Sequence, residues 1–192
     1  MNRFAQLLST AILAATAAGC GTTAASRFYT LESTATAGGA PATNVSVVVG
    51  PVSIPAAVDR PEFVTGAGPN RVDVDTFNRW AEPLNDGIAR AVAGDLAVLL
   101  GAPAVAVAPL ANFDPDYRVT IRVQRFESVL NESVLIDVVW VVRQAPDGAA
   151  RSGHTLARET VTGPGFDALA AAHSRALAAI STDIAAAIRA AQ

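Results

Sequence analysis

The sequence predicts an α+β protein, a two-layer sandwich whose mostly antiparallel or mixed sheet of five or more strands carries two main helices on one face. Three stretches predict it. Tyr117, Val119, Ile121 and Val123 alternate with Arg118, Thr120, Arg122 and Gln124, a strand with one wet face. Val134 to Val142 is apolar at every position except Asp137 and reads as a central strand covered on both faces. Phe166, Leu169, His173, Leu177, Ile180, Ile184 and Ile188 recur every three or four residues, which is the stripe of a long helix.

The chain starts with a leader. Met1-Asn-Arg3 precedes a run from Leu7 to Ala18 that is apolar apart from Ser9, Thr10 and Thr16. This run is shorter than the ~20 residues needed to span a bilayer and ends in small side chains, so residues 1–19 read as a secretory signal peptide. Ala17-Ala18-Gly19-Cys20 resembles a bacterial lipobox, with Ala17 where Leu is usual. Cys20 is the only cysteine, and a lone thiol in an exported chain needs a role. The expected role is lipid attachment: a covalent N-acyl and S-diacylglycerol group on Cys20, with no other cofactor. The alternative is an ordinary signal peptide with Cys20 incidental.

Residues 20–26 form the expected lipidated tether, and residues 27–192 a single domain. The small, polar stretch Gly21–Ser26 reaches at most about 20 Å. Arg27 to Leu31 reads as a first strand, and Glu32 to Asn44 as a loop without hydrophobic period. Val45 to Val52 is a strand ending at Gly50-Pro51. Ser53 to Asn70 is dense in Pro and Gly and cannot be one regular element, while Arg71 to Asp75 alternates as a short strand. Leu84, Ile88, Val92, Leu96 and Leu99 mark an amphipathic helix after Pro83, stopped by Gly101 and Pro103. Ala104 to Ala108 is a short strand. The alternation after Tyr117 slips at Arg125-Phe126, a bulge or bend, and Thr155 to Thr162 returns as a strand after Pro146-Asp-Gly148.

Composition narrows the function. The chain has 192 residues and a formal charge of −3, and its 14 basic residues are all Arg, with no basic stripe for nucleic acid. One cysteine allows no internal disulfide. His154 and His173 lack neighbours at zinc-ligand spacing, and His173 falls on the apolar stripe, as a core histidine does. No G-x-S-x-G and no G-K-[ST] occurs, so the sequence supports neither a nucleophile elbow nor a phosphate loop. Asp137 is expected at an edge contact or beside an Arg. The reading is a protein without catalysis.

Val49-Gly-Pro-Val-Ser-Ile-Pro55, Asp59-Arg-Pro61, Phe63-Val-Thr65, Gly68-Pro-Asn-Arg71 and Asn78-Arg-Trp-Ala-Glu-Pro-Leu84 resemble the ABC-type transport auxiliary lipoprotein family, the group that includes paraquat-inducible protein C. Phe28-Tyr-Thr-Leu31, Gln124-Arg-Phe126 and Asp183 to Ile188 are similar too. Gly66 departs from the family pattern, in which a basic residue follows Val-Thr. The resemblance implies a lipoprotein anchored in the outer membrane and facing the periplasm. It would dock the MCE-domain tunnel protein of an ABC or PqiA-like permease system that moves phospholipid, with no nucleic acid partner. A homo-oligomer, phospholipid as a ligand, a stand-alone lipid carrier and an outer-membrane assembly factor remain open alternatives. Arg60, Arg79, Trp80 and Glu82 are the candidate partner interface. Trp80 reads either as an interface anchor or, preferably, as a plug between the first helix and the sheet. Arg60 and Arg79 with Glu82 either pin the proline-rich segment or face a partner.

Overall fold

The structure is a computed structural model that describes residues 25–146 and 148–192. The expected leader, Cys20 and most of the expected tether therefore lie outside the described residues. Two sheets and two helices make up the described body. In chain order these are β1 (Arg27–Tyr29), β2 (Ser46–Ser53), β3 (Glu62–Gly66), β4 (Val72–Trp80), α1 (Leu84–Leu100), β5 (Ala104–Val107), β6 (Tyr117–Val129), β7 (Ser133–Gln144), β8 (Ala150–Thr160) and α2 (Gly165–Arg189).

The large sheet is mixed, in the order β5-β2-β6-β7-β8. β2 lies parallel to both β5 and β6, and the β6-β7-β8 meander is antiparallel. β7 is an interior strand, flanked by β6 and β8, as expected, but the helices cover only one of its faces, and Val139 and Val141 on the other are half-buried, a correction to the expected cover on both. Both helices cover one face, α1 over β2 and β5 and α2 over β7 and β8. This is the expected two-layer arrangement. The small sheet, in the order β1-β4-β3, sits beside it.

Local chemistry explains most boundaries. Gly101 closes α1 at φ 57, its N–H donating to the Val98 carbonyl and the following Ala102 N–H to the Ala97 carbonyl. Pro164 offers α2 no side-chain cap, and Asn131, itself at φ 61 in the β6–β7 turn, accepts the Gly165 N–H at 2.8 Å instead. Gly153 lies under Trp140, where a Cβ would come within 2.1 Å of the indole. The Trp140 Nε1–H donates to Thr155 Oγ1, which donates to Asp183 on α2 at 2.6 Å.

Three elements differ from expectation. β2 does not stop at Gly50-Pro51; Gly50 takes φ 125, the register shifts, and pairing with β6 resumes at Val52. β3 emerges inside the Gly- and Pro-rich segment. β4 runs on to Trp80 because Asp75 accepts the N–H groups of Phe77 and Asn78 and stabilises an irregular step in the strand. Burial opposes ionisation there, but those backbone donors hold the Asp75 carboxyl below its ordinary pKa.

The period-free stretch after β1 is a strap laid across the helix pair. Fully buried Asp95 on α1 accepts Ser33 Oγ–H at 2.8 Å and the Thr34 and Ala35 N–H groups at 2.9 Å. Its other oxygen lies 3.2 Å from Ser181 Oγ on α2, whose hydroxyl also has the Leu177 carbonyl as an acceptor at 2.8 Å. Gly94 makes room for the crossing, since a Cβ there would meet Ser33 Cβ at 2.8 Å. Further along, Arg189 donates to the Pro41 and Leu99 carbonyls.

Candidate functional site

The site grows out of the length of β6. β2 pairs with it only as far as Ser53 opposite Arg122, yet β6 continues to Val129. The predicted slip is real: the β6–β7 register shifts between Val123 and Arg125. Past that bulge β6 has β7 on one side and, among the described residues, no hydrogen-bonded strand on the other. Across the vacated place stands β3, an edge strand of the small sheet. Between them lies a cleft of about 450 Å³. Val58, Val64, Val72, Phe126 and Val129 give it an apolar lining, and Arg71, Arg125 and Glu127 add charge. Arg125 Nε lies 3.3 Å from Glu127, and both side chains are about half exposed.

An aromatic cluster stands behind the cleft. Phe126 stacks on His173 at 4.2 Å and 7°, and Trp80 stacks on Phe63 at 4.1 Å while meeting Phe126 edge-on. His173 is fully buried, its Nε2 2.8 Å from Ser128 Oγ, and Nδ1 has no partner. Desolvation pushes its pKa down to about 3, so the ring is neutral at physiological pH. A proton on Nε2 donated to Ser128 leaves only a lone pair unpartnered at Nδ1, which is the less costly tautomer.

The sequence candidates are scattered rather than gathered. Trp80 is 6% exposed and belongs to the core, but it packs on Phe63, Phe126 and His173 of the second helix rather than between the first helix and the sheet. Arg79 pairs with Glu62 at 2.6 Å and thereby pins the proline-rich segment, without Glu82. Glu82 instead binds Arg90 at 2.6 Å; this bond leads the causes that raise the guanidinium pKa, and Arg90 also donates to the Leu31 carbonyl. Arg60 is exposed and meets no carboxylate among the described residues. Cys20 lies outside them. Asp137 pairs with His154 at 2.6 Å on the uncovered sheet face, a correction to the expected Arg partner.

Sequence reasoning missed Asp95 and the cleft. An acidic residue inside the α1 stripe was the available signal for Asp95. The cleft shows only when strand lengths are compared, and sequence does not give pairing partners. No trio of metal-ligating side chains occurs among the described residues, and neither His154 nor Asp137 is hydrogen-bonded to a Ser or Cys there. What the arrangement offers is surface: an apolar cleft bounded by strand edges.

Comparison with known proteins agrees in fold. The model of the ABC-type transport auxiliary lipoprotein component family matches residues 29–185. A crystal structure of an uncharacterized protein superimposes with TM-score 0.69 at 19% identity, covering 86% of this chain and 99% of that one. Protein XCC0632 from Xanthomonas campestris gives TM-score 0.67 at 21% identity, covering 82% and 92%. A PelC dodecamer from Paraburkholderia phytofirmans is more distant, at TM-score 0.44 and 16% identity over 77% and 92%. A search of curated proteins found no match. With most of its length matched by that model, the chain belongs to the ABC-type transport auxiliary lipoprotein component family.

Proposed function

We propose that this transport-associated lipoprotein is the outer-membrane dock for the MCE-domain tunnel protein of an ABC or PqiA-like permease system that moves phospholipid. The family match over residues 29–185 carries the reading. Two features support it. The described body presents an open cleft without a catalytic constellation, as suits a protein that holds another in place. Its first strand begins at Arg27, so a lipid on Cys20 keeps the body within about 20 Å of the membrane. A second or third acyl chain makes such an anchor permanent, since each buried methylene adds about 0.8 kcal/mol. Self-association into a ring would fit a tubular partner.

The test is co-purification of the detergent-extracted lipoprotein with the tunnel protein, together with envelope fractionation of Cys20→Ser. The wild type is expected in the outer membrane with the tunnel bound, and the variant in the periplasmic fluid. A variant that stays membrane-bound, or a wild type that never retains the tunnel, overturns the proposal.

A further inference from the structure

We infer that the outward face of the small sheet rests on the lipid surface that holds the anchor, with Phe28 and Phe77 at headgroup level. The inference rests on the lipid attachment at Cys20 in the proposed function, and adds which side of the body meets the membrane. The stacked Phe63 and Trp80 rings mark the inward face of this sheet. Phe63 pairs with Asp75 and Val64 with Val74, so Val72 and Val74 alternate onto the opposite, outward face. Beyond the irregular step, Asn78 turns inward to accept the Tyr29 hydroxyl at 2.8 Å, which leaves Phe77 and Arg79 outward. Phe28 on β1 pairs with Arg79, so Phe28 and Phe77 are diagonal neighbours.

This face is unusually apolar. Among the described residues eight large hydrophobic side chains are exposed, and four of them are Phe28, Val72, Val74 and Phe77. Phe28 is 63% exposed and Phe77 43%. Apolar side chains gathered at a surface mark a place that something covers. The tether says what. β1 is the first strand after Cys20, and Phe28 is its second residue. Gly21–Ser26 reaches at most about 20 Å, so a lipid on Cys20 holds Phe28 and its sheet beside the bilayer. Aromatic and aliphatic side chains on one face of a tethered body settle at the boundary of headgroups and acyl chains. Arg27 and Arg71, next in sequence to Phe28 and Val72, form no ion pair among the described residues and suit lipid phosphates. Glu62 is neutralised by Arg79, and Asp73 and Asp75 alternate onto the other face. The uncovered face of the large sheet differs, with Arg118, Arg122, Arg143 and Arg158 all exposed on it, a surface already suited to water.

Spin labelling of the acylated lipoprotein in vesicles of phosphatidylethanolamine and phosphatidylglycerol tests this. Acylation blocks the only native thiol, so Phe77→Cys, Val74→Cys and Leu156→Cys each take a nitroxide at one position. All three side chains are exposed, which leaves the core untouched, and Leu156 reports on the large sheet. Expected are several-fold fewer collisions with an aqueous nickel chelate, and more with oxygen, for the Phe77→Cys and Val74→Cys labels than for the Leu156→Cys label. Nickel reaching all three labels alike overturns the inference while the anchor stands. Shielding of the Leu156→Cys label, alone or equally with the others, overturns it too. Protein that leaves the vesicles because Cys20 carries no lipid overturns both the anchor and the inference. Shielding that grows with the ratio of protein to lipid assigns the face to a second copy, and shielding that appears only when the tunnel protein is added assigns it to that partner; each overturns the inference.

Discussion

The helix flank and the cleft side of β6 follow opposite rules. On the helix flank, buried polar groups are met by the chain itself. Asp95 gathers donors from the strap and meets Ser181 of α2, and Trp140 reaches Asp183 through Thr155. Beside β6 past its bulge, a row of main-chain groups faces an open cleft instead. One strand thus serves two purposes, with its first half locked between β2 and β7 and its second half left half-paired.

Substitutions on the two sides should therefore differ in cost. Asp95→Ala strips the acceptor from Ser33, Thr34 and Ala35 at once. Denaturant unfolding should show a loss of about 3 kcal/mol. A loss below about 1 kcal/mol would mean the strap is held by other means. Gly153→Ala drives a methyl into the Trp140 ring and should cost about 2 kcal/mol, with an altered indole fluorescence; an unchanged midpoint would sink the packing account.

Acid should probe the seam between the two regions. Folded His173 has its pKa near 3, against 6.5 for the ordinary group, so between those values the unfolded chain binds the extra proton. Its contribution is fully present above about pH 6.5 and declines on acidification, by about 1.4 kcal/mol per pH unit from pH 6 to 4. His173→Leu should flatten that slope relative to wild type in paired pH titrations; identical slopes would show the ring is accessible to protons. The smallest effect belongs to the cleft. Arg125→Ala should shift stability by no more than about 0.5 kcal/mol, because its pair with Glu127 is solvent-exposed. A large destabilisation there would erase the contrast.

What sequence made legible follows periodicity. The β6 slip at Arg125-Phe126, the two helix stripes and the apolar run of β7 all show in residue spacing, because each buries one continuous face. β3 was hidden because Pro61 and Gly66 bracket a strand of only five residues. Trp80 was open to two readings because burial depends on which strand lies opposite, here Phe63 with Phe126 behind it. The strap carries no hydrophobic period at all. Its position comes from hydrogen bonds to Asp95, more than sixty residues away in the case of Ser33. The cleft is a mismatch of strand lengths, a property of pairing that single residues do not encode.

The way the N-terminal end is fastened decides how the body responds to traction. Only Arg27–Tyr29 pair with β4, in parallel, so a pull entering at Arg27 shears that short ladder rather than unzipping it bond by bond. Behind it, the Asp95 knot and the Arg90 grip on the Leu31 carbonyl pass the force into both helices. A pull entering at Arg27 would therefore meet a stiff mooring in the body's two helices.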